Sequence, residues 1–419
     1  MVRLLSFVRR PAAGAVLGQG TQALAGLVLQ VAAARYLGAG GLAVFAVGYG
    51  LLVLATAVCS GMVGDSLTVL DRHDAAVRAG LHGWTASVSV GAAVLGAAAA
   101  LLSGALPLWA GLLVGLATAA FIVEDTLRRL LMATGRFWSL PAVDGSSLVL
   151  ALAVLVAAGA TGGLTLADFV VALLAGQTGA ALVAWWQLPA GERPHGPWRA
   201  PAWRTVFDFG VWRAVAQTIR PALLTALRLL VVAVAGAAAY GPIEAARVLT
   251  APTLVLVTGL GSFLLPHFVA MRRQPAAAAL RTADRAALGL ALAVAGIGAV
   301  TCLALPVLGP VVSGGAYAIP VSAVAGWSAY AVGGAVLLPY SALATVHRRH
   351  RRVLALRALE FVSLAVVLVL VVLVEDGGRW APLALTIGPV LAAAAVRASV
   401  LLPVVRSEAA VPRPVPASV

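Results

Sequence analysis

Two sets of polar residues stand out in a chain that is otherwise apolar: Gln19, Gln22 and Gln30, with Gly26 among them, and Arg213, Gln217, Arg220 and Arg228. At ~100° per helical residue each set falls within an arc of roughly 80°, a single polar stripe on one helix face. Guanidinium groups present planar forks of N–H donors that match oxyanions, and Gln amides both donate and accept hydrogen bonds. An Arg-bearing stripe suits an anion. Arg228 lies near the middle of its apolar run and Arg220 about two turns before it, where an Arg costs at least ~2.5–3.5 kcal/mol on insertion scales. The competing reading is that both snorkel, or pair with an acid on a neighbouring helix. For Arg213, close to the end of the run, that structural reading is preferred.

The remaining charges read mostly as local ion pairs. Glu244 and Arg247 are spaced i,i+3, Glu124 with Arg128 and Asp125 with Arg129 i,i+4, and Arg357 with Glu360 i,i+3, the spacings at which helical side chains meet. Asp65, Asp144 and Asp168 fall near span ends; Asp144 suits a helix N-terminus, and proton relay through one of the three stays open. His347 and His350 frame the run HRRH, a basic loop with no further metal-type ligands near it, so no metal site is assigned. Cys59 and Cys302 each sit in an apolar run and read as packing residues, not as a disulfide or zinc pair. No phosphate-cradling P-loop, HExxH or nucleophile elbow occurs, so no catalytic residue and no cofactor is assigned. Transport would then draw on an ion gradient, the membrane potential or the substrate's own gradient.

The elements that must position these residues are membrane spans. The 419 residues are 62% hydrophobic and 11% charged, with a mean hydropathy of +1.00. A soluble domain carries roughly 25% charged residues, and none fits here. Apolar runs at 12–34, 42–64, 81–105, 107–127, 142–160, 165–188, 206–238, 243–268, 286–308, 318–345, 353–374 and 380–404 predict an all-α polytopic protein of about twelve transmembrane helices. The basic start and first run lack a small-residue cleavage site and are read as a retained first helix.

Net charge is +14, and all 29 basic residues are Arg. They are spread over short loops, which indicates topology and not nucleic-acid binding. Alternate segments hold Arg3, Arg9 and Arg10; Arg72 and Arg78; Arg128, Arg129 and Arg136; Arg193, Arg199, Arg204 and Arg213; Arg272, Arg273, Arg281 and Arg285; Arg348, Arg349, Arg351, Arg352 and Arg357; and Arg397, Arg406 and Arg413. The intervening loops keep only Arg35 and Arg379. By the positive-inside rule both termini are expected in the cytoplasm, with the chain multi-pass in the inner membrane. Residues 1–190 and 206–405 form the expected six-helix lobes, joined by a Pro- and Trp-rich cytoplasmic linker at 191–205 and followed by a disordered tail at 406–419. Trp185, Trp186, Trp198, Trp203 and Trp212 suit an interfacial belt. The second lobe resembles a weak copy of the first: Gln19, Gln22 and Gln30 share the spacing of Gln217, Arg220 and Arg228, and Gly41, Ala46 and Gly61 recur as Gly241, Ala246 and Gly261.

The run GQGTQALAGLVLQVAAARYLGAGGLAVFAVGYGLLVLATAVCSGM (18–62) resembles the first two helices of polysaccharide flippases, of O-antigen or teichoic-acid type, in the multidrug/oligosaccharidyl-lipid/polysaccharide (MOP) exporter superfamily. AAAYGPIEAARVLTAPTLVLVTGLGSFLLPHF and PVLGPVVSGGAYAIPVSAVAGWSAYAVGGAVLLPYSALATVHRRHR are similar in order and spacing to that family's later helices. The likeness implies two six-helix lobes around a V-shaped central cavity and alternating-access movement of an undecaprenyl-pyrophosphate oligosaccharide for cell-surface polysaccharide synthesis. Its phosphates would meet Arg220 and Arg228, and its glycan would meet Gln217, Gln19, Gln22 and Gln30. Expected partners are this lipid-linked substrate, membrane lipids and a polysaccharide polymerase or glycosyltransferases. A cation-coupled multidrug exporter of the same superfamily is the nearest alternative, and a membrane-embedded glycosyltransferase is the alternative from another class. The major-facilitator pattern GxxxDRxGRR is matched only by Asp71 and Arg72 in LTVLDRHDAA. The extra two helices of lipid II flippases are absent from the span count, which argues against the peptidoglycan precursor.

Overall fold

A computed structural model describes residues 11–193, 200–347 and 349–409; among them every regular element is a helix. Arg3, Arg9, Arg10, Trp198, Arg199, Arg348 and the tail with Arg413 lie outside the described residues. The long helices are α1 Pro11–Tyr36, α2 Gly38–Cys59, α3 Ala75–Leu102, α4 Leu108–Ala133, α5 Leu140–Thr161 and α6 Leu166–Gln187, then α7 Trp203–Ala235, α8 Ala237–Ala270, α9 Ala276–Ser313 and α10 Val321–Val346. Two composite helices follow: α11 joins His350–Arg357 to Val362–Leu373 through a tight turn, and α12 joins Ala381–Leu385, Ile387–Val396 and Leu402–Ala409, the last two through a π turn at Arg397–Leu401. These match the expected apolar runs in order. Among the described residues, 11 helices are long and apolar enough to cross a membrane, and α8 adds a further helix of 34 residues. In hydrocarbon an unpaired backbone N–H or C=O costs several kcal/mol, so each apolar run closes its hydrogen bonds within itself.

The helices stop where the sequence provides a stop. Gly38 (φ +67°) opens α2 at its junction with α1, and Gly236 (φ +88°) separates α7 from α8. Asp74 caps α3 by accepting the N–H groups of Ala76 and Val77, both at 2.9 Å. Thr165 and Asp168 form a capping box on α6, which gives Asp168 a structural task. Pro221 lies inside α7 without ending it.

By internal packing the chain divides into two compact units, 1–245 with 310–317, and 246–309 with 318–419. In the first, α1 packs chiefly on α5, α5 on α6, α3 on α4 and α4 on α6, around a core that includes Met62, Ile122, Leu131, Leu140 and Val143. The linker leads into α7, which packs on α2 and α3. At the α2–α7 crossing backbone meets backbone: a Cβ on Gly61 would lie 2.3 Å from Ala214 Cα, and one on Gly210 would lie 2.3 Å from the Met62 carbonyl oxygen. Small residues let membrane helices approach this closely, where dispersion replaces the missing hydrophobic force. In the second unit α10 packs on α12 about Phe268, Leu280, Leu337, Leu343, Val396 and Leu401. Large apolar side chains on the outer faces, such as Leu95 and Leu303, are exposed, as a lipid-facing surface requires.

Candidate functional site

Among the described residues of the first unit, polar side chains gather around Asp65, around Arg128 and around Arg228. The first group centres on Asp65, which follows a π turn at Ser60–Gly64 at the end of α2. Its Oδ2 accepts from Arg213 Nη1 at 3.3 Å and from Gln217 Nε2 at 3.2 Å, and its Oδ1 lies 3.8 Å from Arg129 Nη1. Arg129 donates through Nε to Asp125 Oδ2 at 2.8 Å, and Ser60 donates to the same oxygen. The Asp125–Arg129 pair expected from i,i+4 spacing is therefore present. It extends into a chain that ties α2 and α4 to the stripe of α7.

The second group joins α1, α4 and α5. Arg128 Nε donates to both oxygens of Asp144, at 3.1 and 3.3 Å, and Arg128 Nη2 reaches Gln19 Oε1 at 3.4 Å. Arg128 and Asp144 are both buried. This corrects two expectations: Arg128 pairs across helices with Asp144 and not within its helix with Glu124, and Asp144 serves a guanidinium and not a helix N-terminus. Glu124, one residue before Asp125 and likewise buried, is held in no ion pair among the described residues. Arg128, Asp144 and Glu124 all lie inside the protein, away from its surface. Desolvating them costs several kcal/mol per ion unless each is paired and hydrogen-bonded.

The third group holds Arg228 against Glu244. Arg228 Nη2 donates to Glu244 Oε1 at 3.2 Å, and Tyr240 Oη donates to Glu244 Oε2 at 2.8 Å. Only 6% of the Arg228 side chain and 2% of that of Glu244 are exposed. Gly50 of α2 makes room for the guanidinium: a Cβ there would stand 2.6 Å from Arg228 Nη1 and 3.1 Å from Thr225 Oγ1. Arg228 Nε and Thr225 Oγ1 are buried with no hydrogen-bond partner among the described residues.

The other expected site residues are placed as follows. Arg220 is half-buried on α7 between the Asp65 group and Arg228. On α1, Gln30 donates to the Gly26 carbonyl of its own helix at 3.1 Å, and Gln22 is half-buried. The stripes of α1 and α7 are thus drawn to different partners, Gln19 to the α4–α5 pair, Gln217 to Asp65, and Arg228 to Glu244.

Outside the membrane, Arg72 clamps Glu192 with two hydrogen bonds, at 2.9 and 3.1 Å. They tie the α2–α3 loop to the segment after α6. The hydrogen bond from Arg72 holds the Glu192 carboxyl below its ordinary range. In the second unit Arg357 meets Glu360 at 2.7 Å as its spacing implies. A further cluster escaped sequence reasoning: Arg397 forks onto Asp284 at 2.9 and 3.0 Å, and Tyr340 Oη donates to the same carboxylate at 2.8 Å. These residues come from α9, α10 and α12, so no local spacing signals them. Cys59 and Cys302 are free thiols, and among the described residues no cluster of His, Cys, Asp and Glu is arranged to hold a metal ion.

By sequence, no family model and no curated protein matches the chain. Solved structures do match it along nearly its whole length. An outward-facing multidrug resistance MATE family transporter of the MOP superfamily is 15% identical, covers 96% of this chain and 95% of its own, and has a TM-score of 0.62. A MOP superfamily transporter from Pyrococcus furiosus, described as having a binding pocket of reverse polarity that suggests a different function, is 15% identical with the same coverage and a TM-score of 0.63. A eukaryotic MATE transporter is 15% identical over 94% of this chain and 96% of its own, with a TM-score of 0.61. Identity this low carries the fold alone, and in fold this chain is a multi-pass all-helical protein similar to MATE transporters of the MOP superfamily.

Proposed function

We propose that the chain is an alternating-access transporter that moves an undecaprenyl-pyrophosphate oligosaccharide from the cytoplasmic to the outer leaflet of the inner membrane, with both termini in the cytoplasm. The observation that carries this reading is the character of the two stripes. The first span offers Gln19, Gln22 and Gln30 without an acid, and α7 offers Arg213, Gln217, Arg220 and Arg228. An export site for cations would place carboxylates there, whereas guanidinium forks and amides suit a pyrophosphate and its glycan. The unsatisfied Arg228 Nε and Thr225 Oγ1 support it too. Leaving a buried polar group unpaired costs about 1–3 kcal/mol, which is tolerable where a ligand completes the bonding.

A cation-coupled multidrug exporter is the second reading, and the buried carboxylates Glu124, Asp125 and Asp144 favour it. Purified protein in liposomes separates the two. Leaflet exchange of a fluorescent undecaprenyl-pyrophosphate glycan supports the flippase, uptake of cationic dyes in its place supports the exporter, and sugar transfer onto a lipid acceptor would turn the assignment to an enzyme. Within the flippase reading, Arg220→Gln lowers flipping per folded molecule by about tenfold or more, the loss of about 1.4 kcal/mol of charge-assisted recognition. Arg220→Lys restores only part of it, because an ammonium lacks the planar fork. Unchanged flipping in Arg220→Gln, normalised to membrane abundance, sinks the role given to this residue.

A further inference from the structure

We propose that the second unit carries a binding site for the phosphodiester headgroup of an anionic phospholipid, in the cavity between the start of α11 and the end of α12. The cavity is lined by Arg349, Arg352, Ser399, Val400, Pro403, Val404 and Ser407 and has about 200 Å³ of space. Arg349 and Arg352 are exposed, and neither meets a carboxylate among the described residues. Other arginines of this unit are committed, Arg397 to Asp284 and Arg357 to Glu360. Two unneutralised guanidinium groups on one concave wall, with no acid among the lining residues, form a receptor for a doubly ligated oxyanion.

The local folding explains why the cavity exists. Arg349 stands just before α11 in a non-helical conformation (φ −98°, ψ 21°), and the first turn of that helix has no side-chain cap and no acidic residue. The N-terminal end of the helix dipole adds positive potential beside the two guanidinium groups. On the facing wall Pro403 lacks an N–H and cannot close a bond to the Ser399 carbonyl. The helix widens instead into the π turn at Arg397–Leu401, and this turn, with the residues following it, supplies the rest of the lining. Ser399 and Ser407 donate their hydroxyl protons to the carbonyls of Ala395 and Val404, at 2.6 and 2.9 Å, so recognition of the anion falls to the arginines.

The other half of the lining decides the source of the phosphate. Val400, Pro403 and Val404 form an apolar flank beside the charged one, a pairing that matches a headgroup joined to glycerol and acyl chains better than a hydrated free ion. This loop belongs to the Arg-rich face of the sequence, the side at which anionic lipids attract juxtamembrane cations.

The test compares detergent-purified full-length protein with two double variants, Arg349→Gln with Arg352→Gln in the cavity, and Arg281→Gln with Arg285→Gln, exposed positions on α9 outside it. Binding of phosphatidylglycerol is measured by native mass spectrometry and by the rise in melting temperature, with phosphatidylcholine and inorganic phosphate as the other probes. The expected result is phosphatidylglycerol affinity about tenfold or more lower in the cavity variant only, with phosphatidylcholine and phosphate weak throughout. The double Lys variant, Arg349→Lys with Arg352→Lys, keeps the charge and retains part of the affinity, which guards against misfolding as the cause. Equal losses in both Gln variants would reduce the effect to general charge attraction, and an Arg-dependent shift with inorganic phosphate alone would assign the cavity to a soluble anion; either result overturns the proposal.

Discussion

Arg228 of α7 and Glu244 of α8 form a buried ion pair, 3.2 Å between Nη2 and Oε1, in which the oxygen not facing the guanidinium is taken by Tyr240. The acid lies on a neighbouring helix, one of the arrangements by which an Arg in mid-membrane is tolerated. The proposed contact of Arg228 with a pyrophosphate would therefore be made by a group already oriented by Glu244.

Removing one partner of this pair exposes the cost of the other. Glu244→Gln leaves a buried guanidinium without its counter-ion, and the expected loss is about 3–5 kcal/mol of stability. Adding Arg228→Gln to it recovers a good part of that loss, since neither remaining group is charged. Thermal or denaturant unfolding of the three variants in one detergent checks both statements; a double variant no more stable than Glu244→Gln refutes the pairing.

Glu124 and Asp144 are neighbours in burial and opposites in bonding. Asp144→Asn strips Arg128 of its carboxylate and is expected to cost about 3–5 kcal/mol. Glu124→Gln exchanges near-isosteric groups where no ion pair is held and should stay within about 1 kcal/mol of the parent. The comparison reads directly from melting temperatures, and equal destabilisation by the two substitutions would contradict the geometry.

At the α2–α7 crossing, Gly61→Ala places a methyl group 2.3 Å from Ala214 Cα, and only a backbone shift relieves it. A loss of about 1–3 kcal/mol follows, as for other overpacked positions. Gly48→Ala on the same helix meets nothing within 4 Å and serves as the control, with little change expected in abundance or melting temperature.

The Arg72–Glu192 clamp makes a pH-dependent contribution. Glu192 in the folded chain titrates below its ordinary value because Arg72 hydrogen-bonds its charged form. Its contribution is complete above the unfolded value of about 4.3 and fades as pH falls through the lower folded value. Glu192→Gln should therefore lower stability by a constant amount between about pH 5 and 8, with the gap to the parent closing below about pH 4. A gap that persists undiminished at pH 3 would deny the ion pair its role.

The helices were legible because lipid imposes one rule on every span: apolar length and Arg-poor or Arg-rich ends mark it without reference to partners. Local ion pairs at i,i+3 and i,i+4, such as Arg357–Glu360 and Asp125–Arg129, were legible for the same reason. Arg128–Asp144 was not, since spacing along α4 favours Glu124 and only the packing of α5 on its neighbours brings Asp144 closer. Asp284 with Arg397 and Tyr340 was hidden more completely, its members lying 113 and 56 residues apart in sequence. The stripes of α1 and α7 were legible as helix faces, but the partners of Gln19, Gln217 and Arg228 depend on tertiary contacts that a one-helix projection does not contain.

The π turn at Ser60–Gly64 sets the angular phase of everything after it on α2. One extra residue in a turn advances the helix by about 100° relative to an unbroken α-helix, and here the Asp65 N–H closes on the Ser60 carbonyl at 3.1 Å. Asp65 meets Arg213 and Gln217 in that phase. Excising a single residue from the turn would keep the length, hydropathy and charge of the span almost unchanged, yet would swing the carboxylate about a quarter of a circle away from α7. The contact between these helices is thus written in residue count as much as in residue type, and an alignment that matched every side chain but slipped by one position here would describe a differently wired molecule.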